Sequence, residues 1–227
     1  MSGEKNIANI AVAIDGPAAS GKSTVAKTLA KKLGLIMVNT GAMYRAVAWA
    51  TLRDGVNPDD ADAVIEMLGK VDFSCGVEDG VSTILVDGFY PGEELRQDAV
   101  NNRVSRVAAI PEVRKLLVAK QRDYLKLGSL VMEGRDIGSV VFPDTPFKIY
   151  IDASEEVRLA RRSAEGLADE VAKRDAEDSK RKASPLVVAD GAVVIDSSEM
   201  NIDEVVNAAM EVLRERGAPA SMLDAVS

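Results

Sequence analysis

The stretch Val12 to Thr24, VAIDGPAASGKST, holds eight positions, Gly16 to Ser23, that fit G-x-x-x-x-G-K-[ST]. This pattern cradles phosphate: glycines let the backbone approach an anion, and several amides converge at the start of a helix. Gly16 and Gly21 permit the turn, and within the segment Pro17, Ala18, Ala19, Ser20, Gly21, Lys22, Ser23 and Thr24 the amides of Ala18 to Ser23 can converge on anionic oxygens. Lys22 can reach the β- and γ-phosphates of a nucleotide, and the Ser23 hydroxyl can ligate Mg²⁺. The reaction stays open at this point, because GTPases, ATPases, small-metabolite kinases and nucleotide kinases share the loop.

Arginine supplies most of the remaining chemistry. NTGAMYRAVAWA (39–50) carries Arg45, and MEGRDIGSVVFPD (132–144) presents Arg135 and Asp136 after an apolar run. VRLARR (157–162) sets Arg158 and Arg162 four apart on one helix face, and AKRDAEDSKRKASPL (172–186) places Arg174, Asp178 and Arg181 at spacings of four and three, again on one face. Seen alone, such charged stretches are ordinary solvated faces. Their co-occurrence with a phosphate loop points to a site that holds two phosphates against their mutual repulsion. The chain contains no histidine, which excludes Ser-His and Cys-His dyads and His-based zinc sites. An acceptor that is itself a phosphate needs no strong base, since a monoester's second pKa is about 6.

The elements that would hold these residues read as alternating strand and helix, hence α/β. NIAVAI (9–14), LIMV (35–38), SLVME (129–133), FKIYI (147–151) and AVVID (192–196) are five apolar core strands. The segment after the phosphate loop, with Val25, Leu29 and Leu33 at i, i+4, i+8, predicts a helix closed by Gly34. Thr40 is expected to cap a second helix ending at Gly55. Between Val71 and Arg96 two Asp-Gly pairs among β-rich runs predict an inserted antiparallel patch. Helices resume over 97–109 and, with Pro111 in the first turn, over 111–127; another closes the fold at 202–216, and GAPASMLDAVS is expected to be a loose tail. Together these predict one doubly wound five-stranded parallel sheet with helices on both faces, and its site at the strands' carboxyl ends.

Composition bounds the rest. At 227 residues and 47% apolar, the chain can bury a full core. Its one cysteine, Cys75, allows no intrachain disulfide and suits a reducing compartment; a small buried hydrophobe is its expected role. Neither a membrane span nor a leader is read from the sequence. The net charge of −8 argues against general nucleic-acid binding, yet it is unevenly spread. Residues 1–54 hold seven Lys or Arg and three Asp or Glu, residues 55–100 two and eleven, residues 101–136 eight and four. Trp49 and Tyr44 are expected to pack rather than to stack on a base.

The phosphate loop, G-R-D-I-G-S-V-V-F-P-D and R-D-x-x-D-x-x-R-x-x-x-P-L together resemble the bacterial cytidylate kinase family, from about residue 8 to 216. The resemblance implies a P-loop nucleoside monophosphate kinase that moves the γ-phosphoryl of ATP, with Mg²⁺, to CMP or dCMP in pyrimidine nucleotide metabolism. It implies that Gly16 to Thr24 hold the ATP phosphates and that Arg45 and Arg135, with Thr40 nearby, grip the acceptor phosphate. Ser105, Arg114, Asp136 and Arg181 would read cytosine, and Arg174 and Asp178 the ribose. Arg158 and Arg162 would be lid arginines toward ATP; no firm role carries over to Arg161. Residues 1–227 would form one kinase domain, with a monophosphate-binding subdomain at 41–110 that includes the insert 71–95, and a short helical lid at 158–174. A cytoplasmic monomer is expected. The rival readings are a kinase of another small metabolite, such as a sugar acid or shikimate, and a module that holds ATP without transferring it.

Overall fold

The computed structural model describes residues 9–164 and 186–224. Arg174, Asp178, Arg181 and the later part of the expected lid lie outside these residues. The described chain runs β1 (Ala11–Asp15), α1 (Lys22–Leu33), β2 (Ile36–Asn39), α2 (Thr40–Arg53), α3 (Ala61–Leu68), β3 (Phe73–Glu78) and β4 (Val81–Val86). It continues through α4 (Asp98–Ala108), α5 (Pro111–Asp123), β5 (Leu130–Gly134), β6 (Lys148–Asp152), α6 (Glu155–Ala164), β7 (Val193–Asp196), α7 (Ile202–Glu215) and α8 (Ala220–Leu223). Among these residues no helix is long and apolar enough to cross a membrane.

One seven-stranded sheet has the order β3-β4-β2-β5-β1-β6-β7. The five expected core strands are parallel to one another, and β1 lies between β5 and β6. The chain leaves β1 toward β2 on one side, then crosses from β5 to β6 on the other. The carboxyl end of β1 is therefore a topological switch point, where the connections diverge and leave a crevice. Every residue of β1 and β5 is buried, as both faces of the sheet are covered. On one face α1 and α7 bury Val25, Leu29, Val206 and Leu213 against Val12, Ile14 and Ile149. On the other, α2, α4 and α5 pack Met43, Val47, Val107 and Leu117 against Ala13, Val38 and Met132.

Local chemistry explains the joints. The insert is a hairpin whose two-residue turn, Asp79-Gly80, has φ of 50° and 74°, the left-handed pair that Asp-Gly favours. Asp87-Gly88 repeats it at 52° and 78°, returning the chain from Val86 to Phe89. The hairpin extends the main sheet, because β4 continues it through a parallel pairing of Val81 with Met37. Cys75 is half-buried on the outer strand, its thiol toward the Lys120 carbonyl at 3.8 Å. Trp49 is buried, stacks on Phe89 with ring centroids 5.7 Å apart and donates to Glu94 at 2.8 Å, a packing role.

Two expectations are corrected. Asn39, not Thr40, caps α2: its side chain accepts the Ala42 amide at 3.0 Å, while Thr40 is the first helical residue. Its hydroxyl is engaged elsewhere, donating to the Glu133 carbonyl at 2.8 Å. The C-terminal stretch is not loose through residue 224. Gly217 turns it with φ of 79°, and α8 folds Met222 back onto the core shared by α1 and α7. Met222→Ala is therefore expected to cost about 2 kcal/mol of stability, at the low end for a buried methionine. Urea unfolding would measure it, and a change below about 0.5 kcal/mol, as at an ordinary surface position, would mean that the tail does not dock.

Candidate active site

The phosphate loop spans the switch point between β1 and α1. Gly16 must be glycine, because a Cβ there would come within 2.1 Å of the Ile151 carbonyl oxygen on β6. Ala19, with φ of 61°, sits in the left-handed region that costs a residue with a side chain some strain. Lys22 is buried and folds over the loop, donating to the Pro17 carbonyl at 3.0 Å. Ser23 donates to Glu133 Oε1 at 2.9 Å, so the loop is tied to the end of β5.

A cavity of about 1330 Å³ opens beside this loop, larger than the roughly 300–1,000 Å³ typical of a single small-ligand pocket. Seven lysine or arginine side chains line it against three carboxylates, although the chain as a whole carries −8. On one side stand the first turns of α2, with Thr40, Tyr44 and Arg45. The inner face of α4 follows with Ser105, then Arg114 of α5, and Arg135 and Asp136 beyond β5. Arg114 and Asp136 are both buried and joined by a salt bridge. The guanidinium lies over the Tyr44 ring, 5.8 Å from its centroid, so Tyr44 backs the pair as well as packing. The present position of Thr40 directs its single proton to β5, leaving its hydroxyl oxygen only acceptor capacity toward the cavity.

Segment 134–138 is held closely. A Cβ at Gly134 would come 2.8 Å from Thr40 Oγ1 and 2.6 Å from Ile137 Cδ1, so glycine lets α2 approach β5. Asp15, at the end of β1, accepts the amides of Ile137 and Gly138, each at 2.8 Å. Burial pushes its carboxyl up to about 6 against the opposing pull of these two amides; Asp136 adds to the rise, and Arg135 opposes it.

The other wall comes from α6 and the end of β7. Arg161 and Arg162 line the cavity. Arg161 donates to the Ser197 carbonyl at 2.8 Å, to Ser197 Oγ at 3.2 Å and to the Ala19 carbonyl at 3.4 Å. Arg158 is not among the lining residues. Its guanidinium bonds the Ala153 carbonyl at 3.1 Å and the Ala18 carbonyl at 3.3 Å, bracing the loop from behind. The structure thus gathers Lys22, Ser23, Thr40, Arg45, Ser105, Arg114, Arg135, Asp136 and Arg162 around one cavity.

Sequence reasoning passed over Asp15, Glu133 and Ser197, and it gave Arg161 no firm role. The two carboxylates did leave a signal, a lone acid closing an apolar strand run, since parallel strands buried on both faces rarely end on unpaired charge. Among the described residues no three His, Cys, Asp or Glu side chains gather into a metal cage. Ser23 and Glu133 are hard oxygen donors beside the loop, the set that suits Mg²⁺ when phosphates complete its shell.

Comparison with known proteins agrees with this geometry. A family model described as cytidylate kinase matches residues 12–215. A cytidylate kinase of Rhodococcus opacus (strain B4) is 44% identical over 220 residues, covering 92% of this chain and 96% of the relative. One from Caldanaerobacter subterraneus subsp. tengcongensis is 42% identical, covering 91% and 95%. One from Ligilactobacillus salivarius (strain UCC118) is 41% identical, covering 92% and 99%. With a match that runs through the phosphate loop, the Arg135-Asp136 segment and α7, the chain belongs to the cytidylate kinase family.

Proposed function

We propose that this chain transfers the γ-phosphoryl group of ATP to CMP or dCMP, giving ADP and CDP or dCDP, in pyrimidine nucleotide metabolism. The observation that carries the reading is the cavity itself. Cationic side chains from α1, α2, α5, α6 and the segment after β5 surround a space large enough for two nucleotides, beside a buried Arg114–Asp136 pair.

The loop amides and Lys22 hold the donor's phosphates, and Arg45 and Arg135 grip the acceptor phosphate. Arginine suits this work because its planar fork binds phosphate oxygens bidentately and stays charged. The acceptor oxygen is already mostly dianionic at neutral pH, so no side chain must remove a proton. Arg162 stabilises charge on the transferring group, a role worth roughly 10³–10⁵ in rate, while Arg158, which does not line the cavity, braces the loop through the Ala18 carbonyl instead of reaching that group directly. Ser23 and Glu133 are the residues that would hold Mg²⁺, which supplies positive charge to the β- and γ-oxygens when bound.

Cytosine has an amino donor at N4 and acceptors at N3 and O2. The Asp136 carboxylate accepts from N4, while Arg114 and Ser105 donate to the acceptors. Uracil would turn a carbonyl oxygen toward Asp136. Arg174, Asp178 and Arg181, outside the described residues, complete the acceptor site in the family's pattern, with 158–174 as the lid that excludes water. Residues 41–110, with the insert 71–95, act as the monophosphate-binding unit of one kinase domain spanning 1–227. The single cysteine fits a reducing cytoplasm, and the chain works as a monomer on small-molecule substrates alone.

A coupled ADP-release assay with CMP, dCMP, UMP, AMP and sugar acids tests the activity. CMP and dCMP are expected to be the best acceptors, and turnover of sugar acids without any nucleotide would refute it. Lys22→Ala is expected to lower kcat by roughly 10²–10³ with an unchanged circular dichroism spectrum; undiminished turnover would remove the loop from the chemistry. Asp136→Asn is expected to narrow the preference for CMP over UMP, because an amide can present either a donor or an acceptor. Preserved selectivity would show that other groups read the base.

A further inference from the structure

The acceptor-side residues Arg135 and Asp136 sit on a segment with little regular structure of its own. β5 ends at Gly134, and a single π-helical turn, Ile137–Val141, begins just after Asp136. The first amides of a helical turn have no partner inside it. The later ones bond back within the segment, Val140 to the Asp136 carbonyl at 2.8 Å and Phe142 to the Ile137 carbonyl at 2.7 Å. The first two, Ile137 and Gly138, are taken by Asp15, each by a different carboxylate oxygen at 2.8 Å.

Asp15 is 4% exposed, and these bonds span 122 and 123 residues of sequence. Its chain neighbour Gly16 opens the phosphate loop, so one carboxylate touches the backbone of the acceptor segment and adjoins the donor loop. Gly138 fits this contact closely. A Cβ there would stand 3.3 Å from Asp15 Oδ2, 3.3 Å from the Ala189 Cβ and 3.3 Å from Lys148 Cδ.

From this arrangement, and resting on the acceptor reading above, we infer that Asp15 is a positioning residue that sets the spacing between the phosphate loop and the Arg135-Asp136 segment. An in-line transfer depends on that spacing, since a displacement of about 1 Å can cost roughly a hundredfold in rate. Asp136 is held at its side chain by Arg114, but the backbone that carries it and Arg135 is held by Asp15. No contact of the Asp15 carboxylate with either substrate is required.

Asp15→Asn tests the inference. Asparagine has the same shape but only one acceptor oxygen, so one of the two amides would face an NH₂ group. The expected result is a CMP KM raised about tenfold and a kcat lowered about tenfold, with the ATP KM within twofold of the parent. A purely structural role would lower the folded fraction, read by thermal melting, and leave both KM values unchanged. That pattern would overturn the inference, as would an equal rise in the ATP KM. If Asp15→Asn does not fold, Gly138→Ala decides. It keeps the carboxylate and pushes the amide away, and a CMP KM raised at least fivefold is expected. A CMP KM within twofold of the parent then counts against the inference. A parent protein that converts no CMP would refute the acceptor reading first, and this inference with it.

Discussion

Two anionic phosphates cannot be brought end to end unless positive charge is already fixed around the meeting point. Everything notable in this fold answers that requirement. A chain carrying −8 overall puts seven cationic side chains around one cavity and leaves the acidic segment 55–100 largely on α3, the hairpin and its flanks. No single element could do this. A helix presents a residue to one spot only every third or fourth position, so the cations must come from separated segments. The switch point beside β1 is where α1, α2, α5, α6 and the segment after β5 all end or begin.

Holding so much like charge together is costly unless each group has somewhere to rest. The loop's own carbonyls provide part of it, with Lys22 on Pro17, Arg158 on Ala18 and Arg161 on Ala19, and the Ser197 carbonyl after β7 holds Arg161 as well. Carbonyl oxygens attract a cation without neutralising it, so the net field toward an incoming anion survives. The same contacts brace the strained conformation at Ala19, which the loop needs if its amides are to converge. Stability of the loop and readiness for an anion are thus served by the same bonds.

What could be read from the sequence, and what could not, divides along the range of the interactions. The strands, the phosphate loop and both Asp-Gly turns are local patterns, and they appear within one or two residues of their expected positions. Asn39 and Thr40 are both capable caps. A carbonyl 93 positions away took the Thr40 hydroxyl and left the cap to Asn39. The tail looked loose because its few apolar residues mean nothing until α1 and α7 supply a surface for Met222. Asp15 and Glu133 looked like single acids at strand ends, and their partners lie over a hundred residues away. The four-residue spacing of Arg158 and Arg162 correctly indicated a helix. It could not indicate that Arg158 would be drawn behind the loop while Arg161 turned to the cavity.

In the proposed acceptor site the two halves use opposite electrostatic designs. Where a phosphate would bind, positive charge is left in excess, which favours any anion and discriminates poorly between bases. Where the base would bind, Arg114 and Asp136 are buried together as a neutral pair. A buried pair of this kind adds little to stability, because desolvating both ions offsets most of their attraction. Its value lies in fixed direction: with Tyr44 beneath it and its partner's backbone held, the pair offers one arrangement of donor and acceptor. A ligand that mismatches it leaves a buried carboxylate facing a lone pair, and removing a hydrogen-bond partner from a buried charge is far more costly than a poor contact in water. Selectivity of that form would need a rigid pair more than a strong one, and in the proposed site the Asp15 bonds to the amides that follow Asp136 serve that need.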